Sequence, residues 1–134
     1  MADDKITFEL ASPEALLVST EVDMVVVPGS EGDFGVLPGH APFISTVRPG
    51  VIDVYQGERV DQRLFVAGGF AEVSGQRCTV LSGEASPLED IDRAAVEARL
   101  KAAEEELRDA DAEDERARAE TEVAVCEAML AALG

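Results

Sequence analysis

From Leu88 to Leu133 the chain has neither glycine nor proline, whereas every proline, and every glycine except Gly134, lies at or before Pro87. That division limits the fold more than any single motif. An unbroken stretch dominated by Ala, Glu, Arg and Leu is strongly helical. Ahead of it, short β-branched runs such as "ITFEL", "ALLVST", "DMVVVPGS", "FISTV", "VIDVY", "RLFVAGG", "FAEVSGQ" and "CTVLSGEA" recur about every eight to ten residues, the spacing of an all-β sandwich or barrel. Ile6, Phe8 and Leu10 alternate within "KITFEL" and so share one face of a strand. The chain therefore divides into an all-β region over residues 1–86 and a helical region over 87–134.

In the helical region Val96, Leu100, Ala103 and Leu107 form one narrow apolar stripe, and Val123, Cys126, Leu130 and Leu133 form another. The stretch "RDADAEDERARAE" between them has no large apolar residue, which predicts two helices joined by a turn near Asp109 to Asp114. Ser86, Pro87 and Glu89 read as an N-cap, a first-turn proline and an acid at the positive end of the helix dipole. Both stripes consist mostly of small residues, so the pair can pack closely while burying little apolar area.

The 134 residues carry a formal net charge of minus 17. Thirteen acids against five bases give minus 8 over residues 1–86, and fifteen against six give minus 9 over residues 87–134, so neither region is basic. A surface of this sign repels nucleic-acid phosphate and anionic lipid. Partners should instead offer basic or apolar patches. A hydrophobic fraction of 46% is too high for a disordered acidic tail. No run approaches the ~20 apolar residues of a membrane span, and the N-terminus has no basic segment followed by an apolar one. These features predict a soluble cytoplasmic protein. Cys78 and Cys126 are too far apart in sequence for a redox or zinc motif and read as buried hydrophobes.

Catalytic candidates are few. His40 is the only histidine, so a common zinc site cannot be completed, and no nucleophile stands in a recognised context near it. It can be read as a proton shuttle, a metal ligand or a piece of loop architecture. The helical carboxylates recur with bases at helical spacing, as in Glu97 with Lys101 and Glu104 with Arg108, the pattern of a solvated face. "PGSEGDFG" and "AGGF" lack the phosphate-loop arrangement and read as turns. The stretch "PGSEGDFGVLPGHAPFISTVRPG" has four prolines and five glycines and is tightly specified. It puts Glu31 and Asp33 at an acidic turn tip, and Pro38, Gly39 and Pro42 fix His40 ahead of a strand beginning at Phe43.

Together with "LFVAGGFAEV", "TVLSGEA" and a charged Ala-rich tail opening on "EDIDRA", that stretch resembles the epsilon subunit of the bacterial F-type ATP synthase, in order and over essentially the whole chain. The resemblance implies a β-sandwich of about ten short strands followed by a two-helix hairpin. It implies a non-catalytic rotor subunit of the central stalk, which couples transmembrane proton flow to ATP synthesis and modulates ATP hydrolysis. The implied partners are the gamma subunit, the ring of c subunits and, through the hairpin, the alpha and beta subunits. The implied location is the cytoplasmic face of the bacterial inner membrane, peripheral and held only through the complex. By position, Asp33, with Glu31 beside it, matches the acid facing the c ring, whose polar loops carry a basic residue. Ser12, His40 and Ser45 match positions near the gamma subunit.

An alternative within the resemblance is a nucleotide-sensing module that binds ATP between sandwich and hairpin, with Glu84, Asp92 and Arg99, and Asp90 near them, as contacts. In the "I/L-D-x-x-R-A" motif tied to that activity, Ile91 and Asp92 match, while Ala95 and Val96 take the Arg and Ala positions. Arg93 comes two residues early, which turns its guanidinium by about 200° around the helix. No cofactor is expected. The second helix offers only Arg116 and Arg118 against Glu113, Asp114, Glu115, Glu120, Glu122 and Glu127, little for an acidic loop of a catalytic subunit to grip.

Overall fold

The computed structural model describes residues 4–134. They form two compact units, the first ending at Glu89 and the second running from Asp90 to Gly134. The first unit holds β1 (Ile6–Ala11), β2 (Leu16–Val22), β3 (Met24–Gly29), β4 (Gly32–Val36), β5 (Phe43–Gln56), β6 (Arg59–Val73), β7 (Arg77–Leu81) and β8 (Ala85–Pro87). Hydrogen bonding links them in the order β2-β1-β7-β6-β5-β3-β4, with β8 added to β6.

Eight continuous strands make ten strand segments, because β5 and β6 serve both layers of a sandwich. Residues 43–47 of β5 pair with 69–73 of β6, whose other edge takes β7. Residues 49–56 of β5 pair with 59–67 of β6, flanked by β3 on one side and β8 on the other. The layers are therefore β2-β1-β7-β6-β5 and β8-β6-β5-β3-β4. Ile6, Phe8, Val73 and Val80 from the first layer join Val25, Val27, Ile52 and Val66 from the second in one buried cluster. The alternation predicted for β1 holds: Ile6, Phe8 and Leu10 all point into this core.

The pair Gly68–Gly69, expected to be a turn, lies inside β6 at the crossing between layers. Both residues have positive φ, +97° and +133°, a backbone state that disfavours L side chains. A Cβ on Gly69 would come within 1.9 Å of the Leu81 carbonyl oxygen. Glycine here bends a strand without ending it, and this is why fewer and longer strands replace the expected short ones.

Ser86 and Pro87 do not cap a helix. They belong to β8 and are followed by a 3-10 turn at Leu88–Asp90. The N-cap of α1 (Arg93–Asp109) is Asp92, whose carboxylate accepts a bond from the Ala95 amide at 3.1 Å. The acid nearest the first orphan amides takes this role, while the proline has a place at the sheet edge. α2 (Glu113–Leu133) opens with Glu113, Asp114 and Glu115 at its positive end. The link between the helices needs no glycine, because Ala110 and Ala112 are both extended (φ −67° and −103°). Val96, Ala103 and Cys126 on the predicted stripes are buried, and so are Ala119, Val125 and Met129 off the predicted line.

Candidate functional site

The acidic tip is the two-residue loop Ser30–Glu31 between β3 and β4, closed by the pair Gly29 and Gly32. Neither loop residue has positive φ, so the tip is not a primed hairpin turn, and Gly32 at φ +133° takes the unusual conformation instead. A Cβ on Gly29 would meet the Gly32 carbonyl oxygen at 2.7 Å and the Phe34 ring at 2.9 Å. Asp33 follows and is ion-paired at 2.5 Å to Arg48. Glu31 is exposed and, among the described residues, makes no ion pair. The expected acidic tip thus consists of one compensated and one uncompensated carboxylate.

His40 stands in the corner between β4 and β5. Its amide donates to the Leu37 carbonyl at 3.1 Å, and Gly39 before it donates to the Gly75 carbonyl at 2.7 Å. Nδ1 lies 2.8 Å from the Ala41 carbonyl oxygen, which only accepts, so Nδ1 carries the proton. The ring leans on Phe43 with centroids 5.1 Å apart, and Phe43 meets Phe34 edge-on at 5.0 Å. These contacts make His40 part of the corner's architecture. Among the described residues no three His, Cys, Asp or Glu side chains gather as a metal ion would require. Both cysteines are buried and in no disulfide, and burial pushes the Cys78 thiol up to about 12, so it has no thiolate chemistry near neutral pH.

The outer face of the first layer shows a feature that the sequence reading missed. The cross-strand row Thr46, Phe70, Leu81, Ala11, Leu16 runs over five strands on one face, and Ile44 lies two residues along β5 from Thr46. Ile44, Phe70, Leu81 and Leu16 are 70%, 58%, 53% and 58% exposed, an apolar stripe of the kind that marks an interaction site. Ser12 adjoins its end, in the β1–β2 turn, where its Oγ accepts from the Ala15 amide at 3.3 Å. Ser45 alternates with the outward residues Ile44 and Thr46; it is half-buried on the core side, and its Oγ donates to the Thr46 carbonyl at 3.0 Å. The missed signal was apolar residues at the outward positions of β5, β6 and β7, where a one-sided strand would carry polar ones.

Two residues of the nucleotide alternative, Asp92 and Arg99, have side-chain partners within the hairpin. Asp92 caps α1. Arg99 makes a two-bond pair with Glu122 at 2.7 and 2.9 Å, and this hydrogen bonding holds the Glu122 carboxyl below its usual range. Glu84 belongs to the first unit, where its carbonyl accepts from the Ala67 amide and the Ser82 hydroxyl, both at 2.9 Å. A hollow of about 530 Å³ in the hairpin is lined by Ala102, Glu105, Glu106, Asp109, Glu115 and Arg118. Four carboxylates against one guanidinium repel a polyphosphate.

With this geometry in view, comparison with known proteins is specific. Residues 5–87 match the profile of the ATP synthase delta/epsilon chain β-sandwich domain. The chain is 58% identical over 125 residues to the ATP synthase epsilon chain of Rhodospirillum rubrum, covering 93% of each. It is 56% identical over 130 residues to that of Paramagnetospirillum magneticum, covering 97% of this chain and 98% of the relative. Among solved structures, a chain of the Euglena gracilis mitochondrial ATP synthase (OSCP/F1/c-ring) is similar at a TM-score of 0.82 and 27% identity, over 97% of this chain and 82% of that one. A chain of the Tetrahymena thermophila mitochondrial ATP synthase central stalk and c-ring shares the fold, with a TM-score of 0.68 at 13% identity over 98% of both. The chain belongs to the ATP synthase epsilon-chain family.

Proposed function

We propose that the chain works as a non-catalytic coupling subunit in the rotor of a bacterial F-type ATP synthase, with its sandwich set between the gamma subunit and the ring of c subunits. The observation that carries this reading is that one small unit offers two chemically different surfaces, an exposed apolar stripe across β2-β1-β7-β6-β5 and an acidic hairpin tip. The stripe, with Ser12 at one end and His40 near the start of β5, suits a protein partner whose apolar residues it covers, and this is the gamma contact; Ser45 lies on the other face of β5 and supports the strand beneath it. The tip carrying Glu31 and Asp33 suits a basic group on a polar loop, and this is the c-ring contact. Transmitting torque between two partners requires a stiff body with two docking faces and no reacting group.

The hairpin is the part assigned to the alpha and beta subunits. On α2 its bases are already engaged, Arg118 with Asp114 at 3.6 Å and Arg116 with the Ala110 carbonyl at 3.4 Å, which supports weak inhibition of hydrolysis by this route. No helix of the described residues is long and apolar enough to cross a membrane. Attachment to the cytoplasmic face of the inner membrane therefore runs through the complex. The test is reconstitution: added to a bacterial ATP synthase depleted of its epsilon subunit, the chain should restore ATP-driven proton pumping per ATP hydrolysed while hydrolysing none by itself. Pumping that stays uncoupled, or turnover by the isolated chain, would refute the reading.

A further inference from the structure

The structure assigns Arg48 a part in docking that motif and fold leave unassigned: we infer that it is a positioning residue, which neutralises Asp33 and clamps the β3–β4 hairpin so that Glu31 alone reads a partner's cation. The inference rests on the c-ring contact proposed above and changes which acid makes it.

The guanidinium uses two nitrogens at once. Nη2 contacts Asp33 Oδ1 at 2.5 Å, and Nη1 donates to the Gly29 carbonyl at 2.6 Å. A third tie, from the Ser30 amide to the Thr46 carbonyl at 3.0 Å, joins the same loop to the same strand. Arg48 lies between Val47 and Pro49, where β5 passes from one layer to the other, so the loop is fastened at the bend. The planar fork of arginine spans a carboxylate and a carbonyl together, which a lysine ammonium on a flexible stem does less well. Arg48 and Asp33 are both well exposed, and such a pair contributes little to stability. Its effect is local: it cancels the Asp33 charge and fixes the path of the loop. Glu31, one residue beyond Ser30 at the apex, is left with an uncompensated charge.

The experiment titrates the subcomplex of gamma with the full-length chain onto purified c-subunit rings over a range of ionic strength. Gamma binding by every variant serves as the check on folding. Glu31→Gln should weaken binding by about fivefold at low salt and flatten the salt dependence, as loss of one partly desolvated ion pair does. Asp33→Asn leaves the Arg48 guanidinium uncompensated near Glu31, and it should weaken binding and flatten the salt dependence less than Glu31→Gln does. The double variant Arg48→Gln with Asp33→Asn keeps the net charge of the tip but removes the clamp. It should lose about threefold in affinity with the salt dependence unchanged, a combination that charge reading alone cannot produce. If Asp33→Asn flattens the salt dependence and Glu31→Gln does not, Asp33 is the reader, and the inference fails while the c-ring contact stands. Wild-type binding by the double variant would remove the positioning role of Arg48. If Glu31→Gln combined with Asp33→Asn binds as the wild type does, the c-ring contact fails and the inference fails with it.

Discussion

The sandwich buries Phe8, Ile6, Ile52, Val25 and Val54 completely in a core shared by two layers, whereas the buried positions of the hairpin are Val96, Ala103, Ala119, Val125, Cys126 and Met129. Large β-branched and aromatic side chains gain more on leaving water than alanines do. What the hairpin lacks in apolar area it partly replaces with polar ties, the Arg99–Glu122 pair between its helices and a bond from Arg93 to the Gly134 carbonyl at 3.0 Å. A densely packed sandwich and a lightly packed hairpin thus come from one acidic composition, because the residue types are distributed unequally.

Core truncation should break the comparison most visibly. Phe8→Ala should destabilise the sandwich by about 4 kcal/mol, against about 1 to 2 kcal/mol for Val96→Ala in the hairpin, each read from denaturant unfolding. Similar losses in the two units would refute the claim of unequal cores. Next comes the bend: Gly69→Ala, which sets a Cβ against the Leu81 carbonyl at positive φ, should cost on the order of 3 kcal/mol. An unfolding midpoint that does not move would mean the layer crossing is not under that constraint.

Acid should sharpen the comparison with a smaller effect. The Arg99 hydrogen bonds lower the pKa of Glu122 from 4.5, so this carboxylate stabilises the hairpin fully above that value and progressively less as the pH falls through its folded pKa. Glu122→Gln should remove that step from the pH dependence of helical content and cost under about 1 kcal/mol at neutral pH, since the pair is more than one third exposed. Asp23 has the same sign in the sandwich: the Gly57 amide first, and then Lys5, lower its pKa. Asp23→Asn should likewise flatten the acid limb of sandwich unfolding.

Much of this was legible in the sequence where the signal was local. The alternation of Ile6, Phe8 and Leu10 located β1, and the long stretch free of glycine and proline located both helices. Gly68–Gly69 was misread because a turn and an interior strand bend both call for positive φ, and only the pairing partner distinguishes them. Ser86–Pro87 was misread because its capping pattern competes with a sheet edge some twenty residues back in the chain, where β8 pairs with Leu64 to Val66. The Arg48 clamp joins residues fifteen apart and has no periodic trace. The exposed apolar stripe was hidden for a related reason: "LFVAGGF" is apolar on both faces, so alternation cannot tell the side facing the core from the side left open.

The central claim is that this sandwich is a rotor adaptor gripped through its open apolar face, and gamma-subunit binding by the full-length Phe70→Asp variant tests it most directly. Phe70 is exposed, so thermal unfolding should hardly move, while affinity for gamma should fall by at least about tenfold, equivalent to about 1.4 kcal/mol. Undiminished binding by a folded Phe70→Asp variant would contradict the account.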